Sequence, residues 1–336
     1  MRRSIWGIPL NNRGVALLLA VTVISLLIAV TVQFSKDMRQ ELISSANLRE
    51  SGKLGVMVKS GYNLAVAVLQ QDSEENEFDS FHDGWAVMGT ADLAQLYGDG
   101  KLDIIISDLS GRLQINSLVQ EGDVGAKSEQ ILKALLDSGN LGEFSEEETS
   151  LIINAIVDWI DKNDEESGPE ETESSYYLYR EPAYSARNGP MEFIEELLLI
   201  RGVTSELFYG NEESPGLKDL LTVHGEDGRI NINTAPIPIL KALSEVNGGT
   251  PMNDEIAETL ITYRQNSENQ DMLQEVAWYK NIPLGGVTFD EKTLTTSSSF
   301  FHVLSRAEHN TMAKSLEAVV QRQQGEDIAM LSRKVE

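Results

Sequence analysis

The chain opens on an unbroken apolar run, VALLLAVTVISLLIAVTV from Val15 to Val32, eighteen residues without a charge. As an α-helix it measures about 27 Å, close to the hydrocarbon thickness of a bilayer. Beyond it, Leu54, Val58, Tyr62, Ala65 and Leu69 recur at three- and four-residue steps, the stripe of an amphipathic helix. Both stretches read as one helix from about Val15 to Gln70. The pattern then breaks. Residues 71–101 are a polar loop region with one aromatic stretch, Phe78 to Phe81. Leu102–Ser107 reads as a strand, Asp108-Leu-Ser-Gly111 as a turn, and Arg112–Val119 as a second strand.

From there the periodicity is helical. Ser128–Leu136, Glu146–Ile160, Phe193–Ile200, Gly216–Leu221, Ile237–Leu243 and Asp254–Arg264 each show it. The pair over 237–264, hinged at Gly248-Gly249, is similar to a helix-hairpin-helix unit. Alternation returns near Thr288, with strands expected over Thr293–Phe301, His302–Ala307 and Ser315–Arg322. The last dozen residues read as a loose tail. Two segments echo one another, Gly111-Arg-Leu-Gln-Ile-Asn-Ser117 and Gly228-Arg-Ile-Asn-Ile-Asn-Thr234. Each has a turn glycine, a short β-like run, then Asn with Ser or Thr, which caps a following helix. Two strand-to-helix junctions also share that grammar by chance.

Charge narrows the function. The chain has 336 residues and a formal charge of −26. A field of that sign repels phosphate backbones, so neither the chain nor its hairpin unit reads as a nucleic-acid binder. It has no cysteine, hence no disulfide, thiolate catalysis or thiolate metal site. Arg2, Arg3 and Arg13 precede the apolar run and no dense basic cluster follows it. The positive-inside rule then puts residues 1–14 in the cytoplasm and everything after about residue 35 outside. A cleaved secretory signal fits poorly, because the nearest small-residue site, Ser44-Ser45-Ala46, lies a dozen residues too far on. A simple membrane anchor remains open.

Arg13-Gly14-Val15, a basic residue and a glycine directly before a long apolar helix, resembles the type IV prepilin leader. That resemblance implies cleavage by prepilin peptidase between Gly14 and Val15, and N-methylation of Val15. Loss of the three arginines would leave a charge of −29. Most pilins and pseudopilins carry Glu at the fifth mature position; here it is Leu19. Lack of that Glu, the I-N-x-[ST/L] run and Asn231-Ile-Asn-Thr-Ala-Pro236 resemble the K-type minor pseudopilins of the type II secretion system. The implied fold is α+β: a pilin-like fold, with a long N-terminal helix and an antiparallel sheet, carrying a large inserted, mainly α-helical domain. The expected division is a leader at 1–14, the helix at 15–70, a first α/β part at 71–120, the insert at 121–287, returning strands at 288–322 and a tail at 323–336. The resemblance implies a protein of the bacterial inner membrane with its C-terminal domain in the periplasm. It would sit at the pseudopilus tip with minor pseudopilins I and J, and H, above the major pseudopilin. A single-pass periplasmic calcium-binding or adhesive protein, and a minor pilin of a type IV pilus, are the alternatives.

One segment offers site chemistry. DWIDKNDEESGPEETE, residues 158–173, sets eight carboxylates against one lysine, with a Gly168-Pro169 turn that folds it back. Hard oxygen ligands on a bent loop suit Ca²⁺, but a solvated acidic linker has the same composition, and the spacing is not that of an EF-hand. K-type subunits carry a similar Trp- and Asp-rich loop followed by tyrosines, in a calcium-binding domain. The matching residues are Asp158, Trp159, Asp161, Asp164, Gly168, Glu170, Glu171, Tyr176 and Tyr177, while Asn163 and Pro169 depart from the pattern. The resemblance therefore implies a structural Ca²⁺ on Asp158, Asp161, Asp164, Glu170 and Glu171. Gly98-Asp-Gly-Lys-Leu-Asp103 reads as a turn. Enzyme motifs (G-x-S-x-G, H-E-x-x-H, Walker A, G-x-G-x-x-G) do not occur, and His82, His224, His302 and His309 show no ligand spacing, so catalysis is not expected.

Overall fold

The computed structural model describes residues 12–90, 100–212, 214–323 and 327–336. Helix α1, Asn12–Glu75, is one continuous helix of 64 residues, roughly 96 Å long. Among the described residues its first half is exposed: Leu17, Leu18, Leu26 and Phe34 all face outward. From Leu54 onward one face is buried, and Leu54, Val58, Ala65 and Leu69 of the expected stripe lie inside, joined by Met57. This is the burial that an amphipathic pattern demands, and it begins where the sheet begins.

The sheet has four antiparallel strands in the order β1-β6-β7-β8. They are β1 (Lys101–Asp108), β6 (Phe300–His309), β7 (Met312–Gln321) and β8 (Ala329–Val335). Alternate residues face α1: Leu102, Ile104 and Ile106 from β1, Phe301, Val303 and Ala307 from β6, Leu316, Ala318 and Val320 from β7. Gly61 lets the helix sit close, since a Cβ there would collide with Ser305 and stand 3.2 Å from Leu102 and Ile104. The tail expected at 323–336 instead holds β8, paired to β7 through a register shift at Val319/Val320. Its side chains are almost all exposed, so the alternation that marks a half-buried strand is missing; backbone pairing with β7 makes the strand.

β1 and β6 are neighbours in the sheet but 191 residues lie between them, and those residues form the helical part. A short helix, α2 (Gly84–Val87), seats Trp85 against Phe301 under the sheet, with ring centroids 5.4 Å apart. The helical part contains α3 (Asp123–Asp137), α4 (Glu146–Ile160), the short turns α5 (Ser174–Tyr177), α6 (Ser205–Tyr209) and α7 (Leu217–Leu220), then α8 (Ile237–Glu245) and α9 (Asp254–Gln265). Its core gathers Ile131, Leu135, Ile152, Ile156, Leu240, Leu243 and Leu260. The helix-hairpin-helix-like pair α8–α9 buries Leu240, Ala257 and Leu260 in that core, and Asn247 and Gly248 at its hinge have positive φ. Ile194–Leu199, expected as α-helix, is a 3₁₀ helix whose Glu196 accepts from the backbone N–H groups of Glu192 and Phe193.

The two echoed segments are where the parts meet. The strand expected over Arg112–Val119 shrinks to β2 (Leu113–Gln114), parallel to β3 (Leu221–Thr222). Ser117 donates to the Gln114 carbonyl at 2.6 Å and turns the chain into a 3₁₀ helix, the usual competition between a short polar side chain and a ladder. β4 (Ile230–Asn231) pairs in parallel with β5 (Leu294–Thr295), which splits the strand expected over Thr293–Phe301. Leu113, Ile115 and Leu118 pack with the helical core, and so do Phe289 and Leu294. The expected limits at 121 and 287 therefore cut through that core.

Candidate metal centre

Helix α4 sets the position of the acidic loop. Ser145 and Glu148 form a capping box at its start, and the helix ends at Ile160, so Asp158 and Trp159 occupy its last turn. Trp159 locks that turn: its ring meets Tyr177 edge-on at 5.3 Å, and Nε1 donates to Glu196 at 3.1 Å. Asp158 is fully buried. Its Oδ1 accepts from the Ser167 backbone N–H at 2.9 Å and its Oδ2 from the Thr172 hydroxyl. These two bonds fold residues 161–173 back over the helix end. Gly168 packs against Asn154 there, and a Cβ would displace the Asn154 amide.

The fold-back brings one oxygen each of Asp158, Asp161 and Glu173 within 4.8 Å of one another. Asp161 accepts from the Asn163 backbone and side-chain amides at 3.1 and 2.7 Å. Glu173 is only 3% exposed, and its Oε1 has no hydrogen-bond partner. Burial, then the charges of Asp158, Asp161 and Asp164, push the Glu173 carboxyl up to about 7. Burial and Asp158 also raise Asp161. Asn188, with φ 51°, closes the rim: its Nδ2 donates to Asp164 Oδ1 at 2.8 Å and to the Asn163 carbonyl at 3.1 Å. Its Oδ1 is buried without a partner.

The fold divides the expected ligand set. Asp158 and Asp161 converge, and Asp164 stands at the rim. Glu170 does not join them; it pairs with Arg201 at 3.3 Å. Glu171 is exposed, and only its carbonyl is engaged, by Arg201 at 2.5 Å. In their place come Glu173, from the end of the acidic run, and Asn188, twenty-four residues after Asp164. Glu173 was visible as one acid among eight, without a signal to rank it. The Asn188-Gly189 pair, a turn signal, was the available sign of the second.

The donors fit a hard cation. They are all oxygens, two of them buried and unpartnered, while Arg201 is committed to Glu170 and Arg187 to Glu192 and Glu196. Unpaired buried oxygens carry a desolvation cost that a Ca²⁺ would remove. A second buried group, Asp72, Asp79 and Asp83, has equally close oxygens but holds its own cation: Arg322 Nη1 donates to Asp72 at 2.7 Å, and Nη2 pairs with Asp79. The segment Gly98–Asp103 lies partly outside the described residues, as do residues 1–11 of the expected leader. Gly14 and Val15 lie on α1 with Val15 exposed, and among the described residues no other segment lies within 4 Å of where a Gly14 Cβ would be. Leu19, the fifth residue from Val15, is also exposed. α1 is the one described helix long and apolar enough to cross a membrane, which makes it a single candidate anchor.

Comparison with known proteins agrees with this architecture. Residues 111–210 match the family model for type II secretion system (T2SS) protein K. The chain is 27% identical to the type II secretion system protein K of Pseudomonas aeruginosa over 96% of this chain and 92% of that protein. It is 24% identical to the protein of the same name from Aeromonas hydrophila, over 95% and 96%. Among solved structures it resembles a chain in the crystal structure of the GspK–GspI–GspJ complex of the enterotoxigenic Escherichia coli type 2 secretion system. That match has a TM-score of 0.66 and 19% identity, over 87% of this chain and 99% of that one. The resemblance read from the sequence therefore extends over nearly the whole chain, and the fold is a long helix on an antiparallel sheet split by a helical part.

Proposed function

We propose that this chain works as a minor pseudopilin of a type II secretion system, an assembly subunit and not a catalyst. The observation that carries this reading is helix α1. Its apolar run, Val15 to Val32, is exposed along its whole length, while from Leu54 onward one face of the helix is buried against the sheet. Such a helix is made to be covered twice, first by lipid and then by other helices. The apolar run lies in the inner membrane, with the sheet and the helical part in the periplasm. Prepilin peptidase cuts between Gly14 and Val15, and the freed Val15 is methylated. α1 then packs with the helices of minor pseudopilins I and J, supported by the complex in which the similar solved chain occurs; H and the major pseudopilin lie below. Leu19 puts no carboxylate into the apolar bundle, as suits a subunit with no neighbour above it whose amine needs neutralising. The helical part, broader than α1, covers the end of the bundle and stops growth there.

Ca²⁺ in this reading is structural. Asp158, Asp161 and Glu173 would hold it, with Asp164 and the Asn188 amide oxygen at the rim, and it would supply the positive charge that these buried oxygens lack. Binding would fix the fold-back of 161–173 against α4 and so shape the outer surface of the helical part.

The N-terminal sequence and intact mass of the membrane-extracted protein, with and without prepilin peptidase, test the assembly reading. A chain beginning at methylated Val15 only when the peptidase is present is expected, and Gly14→Ala should leave the precursor uncut. Retention of residues 1–14 in both conditions would overturn it in favour of a plain anchored protein.

A further inference from the structure

The seam between the sheet and the helical part is built on carboxylates. Asp72 lies in the last turn of α1, Asp79 and Asp83 lie in the turn that follows, and all three are buried. One oxygen of each lies within 4.8 Å of the others. Asp108 closes β1, and its Oδ2 accepts from the hydroxyls of Ser298, at 2.8 Å, and Thr234. Ser298 joins the two sets, because its backbone N–H donates to Asp79 Oδ2 at 2.7 Å. Among the described residues Arg322, just past β7 and 8% exposed, is the one guanidinium bonded into this group, through Asp72 and Asp79. Other charges face it from the rim. Glu77 lies on the same turn, and Arg112 lies beside Asp108. His82 Nε2 meets the carbonyl of Arg264, whose guanidinium lies over Phe81.

The helical part grips the same residues. The side-chain amides of Asn231 and Asn233 both donate to the Asp79 carbonyl, at 3.2 and 3.1 Å. The Asp79 backbone N–H donates to Thr296, and the Asn231 N–H to Ser110, each at 2.8 Å. One turn, residues 79–83, thus holds both the carboxylates and the docking carbonyl.

We propose that this seam is a proton-operated clasp, closed while Asp79 and Asp83 carry protons and loosened when both ionise beside Asp72 and Asp108 with Arg322 as their counter-ion. The geometry supplies four carboxylates against that guanidinium in a place shielded from water, where like charges repel strongly. Burial foremost, opposed by Arg322, brings Asp79 up to about 7; burial brings Asp83 up to about 6 and raises Asp108. In the opened seam these groups return to the ordinary carboxylate range. The closed form therefore binds protons more tightly, and opening becomes easier as pH rises from that range towards 7. A single group so shifted changes the opening equilibrium by about tenfold per pH unit inside that window. The inference does not depend on how the chain assembles.

Hydrogen exchange of the full chain in detergent, with divalent ions chelated, tests it. Between about pH 5 and pH 7, after correction for intrinsic exchange, the amides of Asp79, Asn231 and Ile232 should lose protection by on the order of tenfold or more. The β6–β7 ladder should hold. Asp79→Asn and Asp83→Asn should flatten this dependence. Because either variant can misfold, infrared spectra of the unaltered chain with carbon-13-labelled aspartate give a second reading: a label-shifted carboxylic acid band present at the lower pH and lost above about pH 8. Equal seam protection at both pH values, a slope kept in both variants, or no labelled acid band at the lower pH would each overturn the clasp.

Discussion

Asn233→Ala separates structural motif from ornament. Asn233 is 1% exposed and spends every side-chain hydrogen bond inside the protein. Its Nδ2 donates to the carbonyls of Asp79 at 3.1 Å and Leu273 at 3.0 Å, and its Oδ1 accepts from Trp278 Nε1 at 2.8 Å. Truncation leaves the Asp79 carbonyl with Asn231 as donor. It orphans the Trp278 indole N–H and the Leu273 carbonyl, both on fully buried residues. Each unsatisfied buried group costs roughly 1–3 kcal/mol, so the variant should lose roughly 2–6 kcal/mol. Urea unfolding of the full chain in detergent, followed by circular dichroism, reads this as a lowered midpoint at constant slope. Asn233→Asp keeps an acceptor for Trp278 but sets an anion against two carbonyls, and should be at least as harmful. A loss below about 1 kcal/mol for Ala, with Asp no worse, would refute the reasoning, since it would mean that the seam repairs itself or is wet.

Four further outcomes are expected. Gly111→Ala should destabilise markedly, because its Cβ would lie 2.6 Å from Thr234 Oγ1 and 2.9 Å from the Thr234 carbonyl carbon; a melting temperature equal to wild type would count against the close approach drawn for that turn. In calcium titrations by calorimetry, Glu173→Gln and Asp158→Asn should weaken binding by about tenfold or more, while Glu170→Gln and Glu171→Gln change it little, since a site's affinity follows the charge of its ligands. With a chelator present, the raised Glu173 carboxyl contributes stability that is fully present below the ordinary carboxylate range and is lost as pH rises through about 7. Saturating Ca²⁺ should remove that decline in thermal melts, and a decline unaffected by Ca²⁺ would separate Glu173 from the metal. Gly61→Leu should open the α1–sheet contact, seen as faster exchange along β6, because even a Cβ there meets Ser305, Leu102 and Ile104.

The acidic loop shows where sequence reading stops. Its location and its crowd of carboxylates follow from local facts: a helical pattern ending in Asp-Trp-Ile-Asp and a Gly-Pro turn. The choice between Glu170 and Glu173 does not. It depends on Arg201, which draws Glu170 outward, and on the Thr172 hydroxyl, which pins the chain to Asp158 and leaves Glu173 facing in. Likewise β8 has no alternating pattern to mark it, and Arg112–Val119 has a β-like pattern that Ser117 and Asn116 override by bonding the backbone.

The sequence alone determined the long helix and its two environments, the order of strand-bearing and helical regions, and the places of the echoed junctions. Those features are set by periodicity, by length and by glycine and asparagine at turns, all readable within about twenty residues of chain. The tertiary structure alone decided which distant groups share a site. Asp79 meets Asn233 and Asp108 meets Thr234 because the chain leaves the sheet at β1 and returns at β6, and Glu173 faces Asp158 because Ser167 and Thr172 fold the acidic loop back over the end of α4. Burial at that return converts scattered polar residues into partners that must satisfy one another.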